Sequence, residues 1–434
     1  MYLRGSKWSM NKRRKPFNYF KIISLVALIG FVMYFGVVIG PQVQSSMGPT
    51  PTATRDPESY VTEADQLFEQ GKLPQAIQAY EQAIGARPND ASIYISMARI
   101  QVWTGKAKDA QLNAENALLL NPNNSMAHAV RGWALEAQKD FLASEISIKR
   151  ALELDPNNAL AHAYYSELLA DEYLNGTGPF DSIDKAAEES RVALTLAPGM
   201  METHRARGYV LEVTGNYEEA IREYEAAVNI NKNIADLHVS LGRNYRALGV
   251  YDKAVTALTT ANALNSADPT PLLLISRVYY TVGEYTKAEQ YAQQAVKISP
   301  ADTALRGNLG VMYYRNLKWP ESVDELSFVV NGGKDKDGVE IKPLELVANA
   351  PRIAEYYFTY GLALVRLNRC GEALPLFQKL LATSSNDETT VYNANEGIRL
   401  CSVAAGETPS PDSGTPTEPS SGSTAEAPVE TPTP

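Results

Sequence analysis

The stretch TGNYEEAIREYEAAVNINKN, residues 214–233, contains the pattern that decides the fold. Its glycine, Gly215, is followed by Ala220 and, seven residues later, by Ala227. The same arrangement recurs along residues 57–404, and most neighbouring copies are 34 residues apart. The first alanine of the copies is Ala76, Ala110, Ala220, Ala254, Ala288 or Ala373, and the second is Ala83, Ala117, Ala227, Ala261 or Ala295. A period of this length indicates a repeat architecture in which each copy is one small structural unit.

Small residues also recur in the segment before each turn, at Ala64, Ala98, Gly132, Ser166, Gly208, Gly242, Ser276, Gly310 and Gly361. Most are followed three residues later by Leu or Tyr, which is the spacing of one buried helical face. Paired helices need small side chains where their axes approach and large apolar ones elsewhere. A glycine in the turn, which suits the left-handed end of a helix, is present as Gly71, Gly105, Gly215, Gly249 and Gly283. Each unit is therefore predicted to be helix, turn, helix.

With these motifs the chain resembles the tetratricopeptide repeat (TPR) family over about four-fifths of its length. The resemblance implies an all-α fold, a right-handed α-solenoid of about nine repeats within residues 57–387, with insertions near 175–182 and 331–353. A final helix, residues 388–404, is predicted to cover the end of the stack with its polar face. The predicted repeats start near Pro57, Ala91, Ser125, Ala159, Met201, Ala235, Pro269, Thr303 and Ala354.

The N-terminal region predicts a membrane anchor. Residues 1–21 hold seven Lys or Arg and no acid, and they lead into an apolar run over residues 22–40. As a helix, that run is close to the roughly 30 Å thickness of the hydrocarbon core. A cleaved signal peptide is the alternative, but the run is longer than the usual apolar region and Pro41 follows it directly, so an uncleaved transmembrane helix is favoured.

Basic residues beside a span stay cytoplasmic, so the repeats are expected on the extracytoplasmic side. Residues 41–56, rich in Pro, Thr and Ser, predict a linker. Residues 405–434 contain seven Pro and five acids with no basic residue, a composition typical of a disordered tail. Without residues 1–21 the chain has 33 basic and 50 acidic residues. Nucleic acid is therefore not expected as a partner.

No catalytic, cofactor or metal motif is present in the sequence, and we expect no enzyme activity. Four histidines fall at the fourth position of consecutive repeats: His128, His162, His204 and His238. Helices 8–10 Å apart cannot bring such residues to one ion, so a packing role is predicted. The stretch GGKDKDGVEIKPLE from Gly332 has Gly333 and Leu344 where a calcium loop needs ligands, and it predicts a surface hairpin instead.

The two cysteines occupy comparable places in the last repeat and in the final helix. Stacking would bring Cys370 and Cys401 toward the same edge, where a disulfide can form if the domain lies outside the cytoplasm. Two free buried thiols are the alternative, and the sequence does not choose between them.

In the TPR family the first helix of each repeat lines a concave groove and presents positions 2, 5, 9, 12 and 13 to ligands. The resemblance therefore implies a groove with many arginines and aromatic rings. We expect it to hold acidic or carboxylate-bearing peptide segments of partner proteins. Glu202, Glu212 and Asp236 lie in the same groove, so an ordinary solvated face with paired arginines is the alternative. The predicted groove residues are Arg99, Trp103, Trp133, Arg205, Tyr209, Arg243, Arg246, Arg277, Tyr280, Tyr314, Arg315, Phe358 and Arg366.

The sequence therefore predicts a membrane-anchored scaffold that binds other proteins. The alternative is a non-catalytic envelope protein that binds a carbohydrate polymer through the groove aromatics, with Trp103 and Trp133 as the stacking platforms.

Overall fold

The computed structural model describes residues 19–34 and 56–406. The chain divides into two units, residues 1–56 and 57–434. In the first unit the described helix is α1, Tyr19–Tyr34, whose 16 residues are apolar around most of the circumference. Among the described helices, none combines the length and the apolarity that a bilayer crossing requires. Residues 35–40 of the predicted span lie outside the described residues, as do residues 1–18, 41–55 and 407–434.

The second unit is a stack of antiparallel helix pairs, and each helix packs on its neighbours in the chain. This confirms the all-helical solenoid. The nine first helices and their partners are α2 Pro57–Glu69 with α3 Leu73–Ala86, α4 Ala91–Trp103 with α5 Ala107–Leu120, α6 Ser125–Glu136 with α7 Phe141–Leu154, α8 Ala159–Asn175 with α9 Ser182–Leu196, α10 Met201–Val213 with α11 Tyr217–Ile230, α12 Ala235–Ala247 with α13 Tyr251–Leu264, α14 Thr270–Thr281 with α15 Tyr285–Ile298, α16 Thr303–Arg315 with α17 Trp319–Asn331, and α18 Pro351–Arg366 with α19 Cys370–Thr383.

The helix pairs touch most closely at the small residues seen in the sequence. A Cβ added at Gly132 would lie 2.3 Å from Cγ1 of Ile148, and one at Gly242 would lie 2.4 Å from Cγ of Leu258. Both distances are far below van der Waals contact, so a side chain there would force the two helices apart.

The turns that lack glycine still use the left-handed conformation. Lys139, Leu317 and Asn368 have φ of 62°, 60° and 59°, close to the 72° of Gly71. A side chain costs free energy in this region, so the helix pairing, rather than the local residue preference, sets the turn geometry here.

The four histidines contact the backbone of the turns that connect one repeat to the next. Each ring Nε2 lies within hydrogen-bond distance of the backbone carbonyl six residues earlier: 3.0 Å for His128, 2.9 Å for His162 and His204, and 2.8 Å for His238. The histidines therefore do more than fill space in the packing: each provides a hydrogen-bond partner for a backbone carbonyl in the turn before its own helix.

The first repeat returns to contact the loop between α11 and α12. Nδ2 of Asn233 donates to the carbonyl oxygen of Glu69 at 2.7 Å, and Nδ2 of Asn231 reaches that of Phe68 at 3.4 Å. A Cβ added at Gly71 would be 2.6 Å from the carbonyl oxygen of Asn233. The superhelix thus closes on itself after five repeats, and we call residues 57–247 the closed turn.

The C-terminal end carries the insertion and the last helix. Strands β1, Gly333–Lys334, and β2, Glu340–Ile341, pair as the predicted hairpin. Helix α20, Glu388–Ala404, packs on α18 and α19. The sulfur atoms of Cys370 and Cys401 are bonded, with 5.6 Å between the Cα atoms.

Candidate partner-binding site

Side chains bridge the groove of the closed turn. Arg99 of α4 forms an ion pair with Glu202 of α10, 103 residues away, and the side chain of Glu202 is only 3% exposed. Arg243 of α12 donates from Nε to Glu212 at 2.8 Å. The carboxylate of Glu212 also accepts hydrogen bonds from Tyr224 and Asn244. These pairs neutralise the arginines within the fold.

Arg205 is the most heavily engaged of the groove arginines. Its Nη1 lies 2.5 and 2.6 Å from the two carboxylate oxygens of Glu167, and its Nε lies 3.2 Å from Asp236. The guanidinium also lies over the rings of Trp103 and Trp133, 4.9 and 5.5 Å from their centroids. A partner's carboxylate would have to displace these contacts.

Acidic side chains outnumber the basic ones around Arg205. Burial raises the pKa of Glu136, and the nearby Glu167 and Asp171 raise it further. Its Oε2 has no hydrogen-bond partner in the described part of the chain. Burial also raises the pKa of Glu167 to about 7 and raises that of Asp171. Burial therefore disfavours the ionised form of this carboxyl cluster compared with the same groups in water.

The cluster predicts a stability that falls as pH rises. A carboxyl group whose folded-state pKa lies above its unfolded value stabilises the fold below about pH 4.3, and this contribution is lost as pH rises through the folded pKa. The free energy of unfolding should therefore decrease between pH 5 and 8. Glu136→Gln, which cannot ionise, should reduce that slope and be more stable than the parent chain at pH 8. Urea unfolding at several pH values measures both.

Two comparisons control this experiment. At pH 5 the Glu136→Gln variant should lie within about 1 kcal/mol of the parent. Burial lowers the pKa of His162, but its hydrogen bonds to Glu189 and to the Pro156 carbonyl and the nearby acidic charges together raise it, so His162 titrates in the same direction and is present in both chains. His128, whose pKa burial lowers, titrates in the opposite direction in both chains, so the difference between the two chains is what tests the assignment. Equal pH slopes for the parent and for Glu136→Gln would contradict it.

In the first half of the predicted groove, the structure places the predicted residues against other repeats. Trp133 is 3% exposed and stacks on Tyr164 with 4.6 Å between ring centroids. Tyr209 hydrogen-bonds Asp171, while Arg277 and Phe358 are 7% and 8% exposed. Trp133 is therefore buried within the closed turn. The other predicted residues there are half-buried and contact neighbouring repeats: Arg99, Trp103, Arg205, Tyr209, Arg243 and Arg246. The physical reason is the closure of the superhelix, which turns a predicted ligand surface into a contact between repeats.

Three of the predicted residues, Tyr314, Arg315 and Arg366, line a pocket on the edge where first helices end and second helices begin. It has a volume of about 400 Å³ and is lined by Tyr285, Tyr314, Arg315, Leu317, Trp319 and Arg366. We call it the edge pocket. Tyr314, Arg315 and Arg366 lie at the C-terminal ends of first helices. Tyr285 and Trp319 are the first residues of second helices. Three consecutive repeats therefore contribute to it.

Aromatic rings, rather than carboxylates, hold the two arginines of the edge pocket. Nη2 of Arg315 donates to the hydroxyl of Tyr280 at 2.8 Å, and its guanidinium lies 5.3 Å from that ring's centroid. The guanidinium of Arg366 lies 6.0 Å from the centroid of Trp319. Both arginines are exposed. Neither has a carboxylate within ion-pair distance in the part of the chain that the structure describes.

The nearest acids are already paired. Glu355 forms an ion pair with Arg352 at 2.5 Å, and Glu396 with Arg399 at 2.6 Å. The edge pocket therefore has a net positive charge and apolar ring faces beside it. Such a site is suited to a peptide in which an acidic residue lies next to an apolar one.

Three members of the edge pocket were missed by reasoning from the sequence. Tyr285, Leu317 and Trp319 do not lie at the family's groove positions, because they belong to the turns and to the second helices. One signal was present: second helices repeatedly begin with an aromatic residue, namely Phe141, Tyr217, Tyr251, Tyr285 and Trp319. Reasoning from the sequence also missed the buried acids Glu136 and Glu167 and the half-buried Asp171, although all three lie at groove positions.

A stack of antiparallel helix pairs of this kind defines a helical-repeat protein. Family models agree with this class. "TPR repeat" matches residues 64–102, and "Tetratricopeptide repeat" matches residues 201–234 in one model and residues 95–159 and 239–325 in another. Together these matches span half of the chain. The chain belongs to the tetratricopeptide repeat family, whose members are generally non-catalytic scaffolds that bind other proteins.

Solved structures with a similar fold were also found. A tetratricopeptide repeat protein from Parabacteroides merdae is 14% identical, covers 59% of this chain and 98% of its own, and has a TM-score of 0.38. PilW, a type IV pilus biogenesis factor, is 17% identical with coverages of 47% and 91% and a TM-score of 0.42. Human IFIT1, solved as a dimer with m7Gppp-AAAA, is 16% identical with coverages of 80% and 89% and a TM-score of 0.49. A search of curated proteins found no match.

Proposed function

We propose that this protein is a scaffold that binds acidic segments of partner proteins in the edge pocket. The observation that supports this most is the contrast between two sets of arginines. Arg99, Arg205 and Arg243 pair with buried carboxylates, whereas Arg315 and Arg366 are exposed and, among the described residues, contact aromatic rings and no carboxylate. A pre-oriented guanidinium gains a charge-assisted hydrogen bond when a carboxylate arrives, with little loss of side-chain entropy.

A fluorescent ten-residue peptide with alternating Glu and Ala and a free C-terminal carboxylate tests this proposal. The parent chain should bind it in a salt-dependent manner, and Arg315→Glu with Arg366→Glu should weaken binding by at least about tenfold. The matched control is Arg191→Glu with Arg222→Glu, because both arginines are exposed on second helices far from the pocket in sequence. Equal binding by both double variants would overturn the proposal, as would equal binding of a Gln-for-Glu peptide.

The carbohydrate alternative has less support. It depended on Trp103 and Trp133 as open platforms, and these rings contact each other at 5.3 Å and lie under Arg205. A sugar ring would have to displace this packing.

We also propose that residues 22–40 anchor the protein in a membrane, with the repeats on the extracytoplasmic side. The support is the basic flank in residues 1–21 and the apolar run that follows it. An alkaline carbonate wash of membranes that contain the full chain tests this: the chain should remain in the membrane fraction. Recovery in the wash would contradict the anchor and would leave the pocket assignment intact.

A further inference from the structure

We propose that the acidic, proline-rich segment 407–434 of this same chain is a ligand of the edge pocket and competes there with partner proteins. This inference rests on the proposed function, since it names one occupant of that pocket. It is supported by where the described chain ends, by charge and by side-chain chemistry.

The disulfide places the start of this segment near the pocket. Cys370 begins α19 only four residues after Arg366, and it is bonded to Cys401 near the end of α20. The described chain ends at Gly406, five residues beyond Cys401, and five residues span at most about 18 Å. Arg366 also lies near α20: the pKa of Glu396 in that helix is lowered mainly by its hydrogen bond to Arg399, and the charge of Arg366 adds to this lowering.

Segment 407–434 is long enough to reach the edge pocket from Gly406. Twenty-eight residues of extended chain reach about 87 Å at ~3.1 Å per residue. Tethering of this kind gives an effective concentration in the millimolar range, so even a weak contact would be occupied.

The charges are complementary. Segment 407–434 has five acids and no Lys or Arg, and the edge pocket presents two arginines with no carboxylate partner among the described residues. Its acids are Glu407, Asp412, Glu418, Glu426 and Glu430.

The prolines of segment 407–434 also suit the aromatic rings of the edge pocket. Glu418 stands between Pro416 and Pro419, and Glu430 between Pro428 and Pro432. Proline-rich segments bind grooves lined by aromatic rings, because proline rings pack on ring faces and lose little entropy. The pocket offers Tyr285, Tyr314 and Trp319 beside the two arginines. Each of these two glutamates can thus place its carboxylate on a guanidinium while a proline within two residues packs on a ring.

A competition experiment tests the proposal. The synthetic peptide 407–434 is titrated by calorimetry into the full chain and into a chain that stops at Gly406. The shortened chain should bind the peptide, and the full chain should bind it at least about tenfold more weakly because the tethered copy already competes. In the shortened chain, Arg315→Glu with Arg366→Glu should abolish binding, whereas Arg191→Glu with Arg222→Glu should not.

Two altered peptides separate the contribution of the acidic side chains to binding from that of the prolines. One carries Gln or Asn in place of the five acids, and the other carries Ala in place of the seven prolines. Both should bind at least about tenfold more weakly than the native peptide.

The outcomes distinguish this inference from the function on which it rests. If the alternating Glu-Ala peptide binds and peptide 407–434 does not, the tail is not the ligand and the acidic-partner function stands. If neither binds, both proposals fail. If peptide 407–434 binds the Arg315→Glu, Arg366→Glu chain as well as the parent, its site lies elsewhere and the inference is overturned.

Discussion

Replacing Arg205 by alanine is expected to lower the free energy of unfolding of the repeat domain by about 3 kcal/mol. The substitution leaves Glu167, a side chain that is 3% exposed, without its cation, and it removes the guanidinium from the rings of Trp103 and Trp133. The loss should lie at the lower end of the range for a broken buried ion pair because Arg205 is itself 21% exposed, so water can enter.

The measurement is urea unfolding followed by circular dichroism, with hydrogen exchange to localise the loss, since long repeat arrays can unfold in parts. Arg191→Ala is the control, because Arg191 is 65% exposed and pairs only with Glu188 on its own helix. It should change stability by less than about 0.5 kcal/mol. Adding Glu167→Gln to Arg205→Ala should recover part of the loss, since the uncompensated charge is then absent. A loss below about 1 kcal/mol for Arg205→Ala would contradict this account of the closed turn.

Removing the disulfide by Cys370→Ser with Cys401→Ser should destabilise the last helix by about 3–4 kcal/mol. The two residues are 31 apart in sequence, and cross-linking a loop of that size removes chain entropy from the unfolded state. Helix α20 also packs closely, since a Cβ at Gly397 would lie 2.1 Å from Cζ of Phe377. The helix should therefore remain folded in the variant while opening more often.

Hydrogen exchange of the full chain measures this effect. Amides in α20 should exchange at least about a hundredfold faster in the double serine variant, because each 1.4 kcal/mol corresponds to a factor of ten. Amides in α10 serve as the internal control and should be unchanged, since nearest-neighbour coupling dominates in repeat stacks. Unchanged protection of α20 would show that packing alone holds the helix.

The helix pairs could be predicted from the sequence because their signals are local. Ala220 and Ala227 lie on one face of a single helix, and Gly215 suits the turn before it. Both signals recur in one copy after another, so each repeat supports the assignment of the next. Where the local signal was absent, as at Lys139 and Leu317, the same turn forms because the packing of the two helices requires it.

The candidate site could be predicted only in part. Arg315, Arg366 and Tyr314 were found because they occupy groove positions, whereas Trp319 and Tyr285 reach the pocket from second helices. The predicted roles of Arg205 and Arg243 differ from the observed ones because the sequence cannot show which carboxylates face them across the groove.

The amino-acid sequence by itself thus establishes a helical-repeat protein of the tetratricopeptide type, since small and large residues at helical spacing determine how one helix packs on the next. Whether the groove is open depends on the small rotation that accumulates from repeat to repeat. The accumulated rotation brings Arg99 into contact with Glu202 and Asn233 into contact with Glu69. These pairs are separated by 103 and 164 residues in sequence. No local pattern encodes such a distance, so the closed turn and the open edge pocket appear only when the whole stack is assembled.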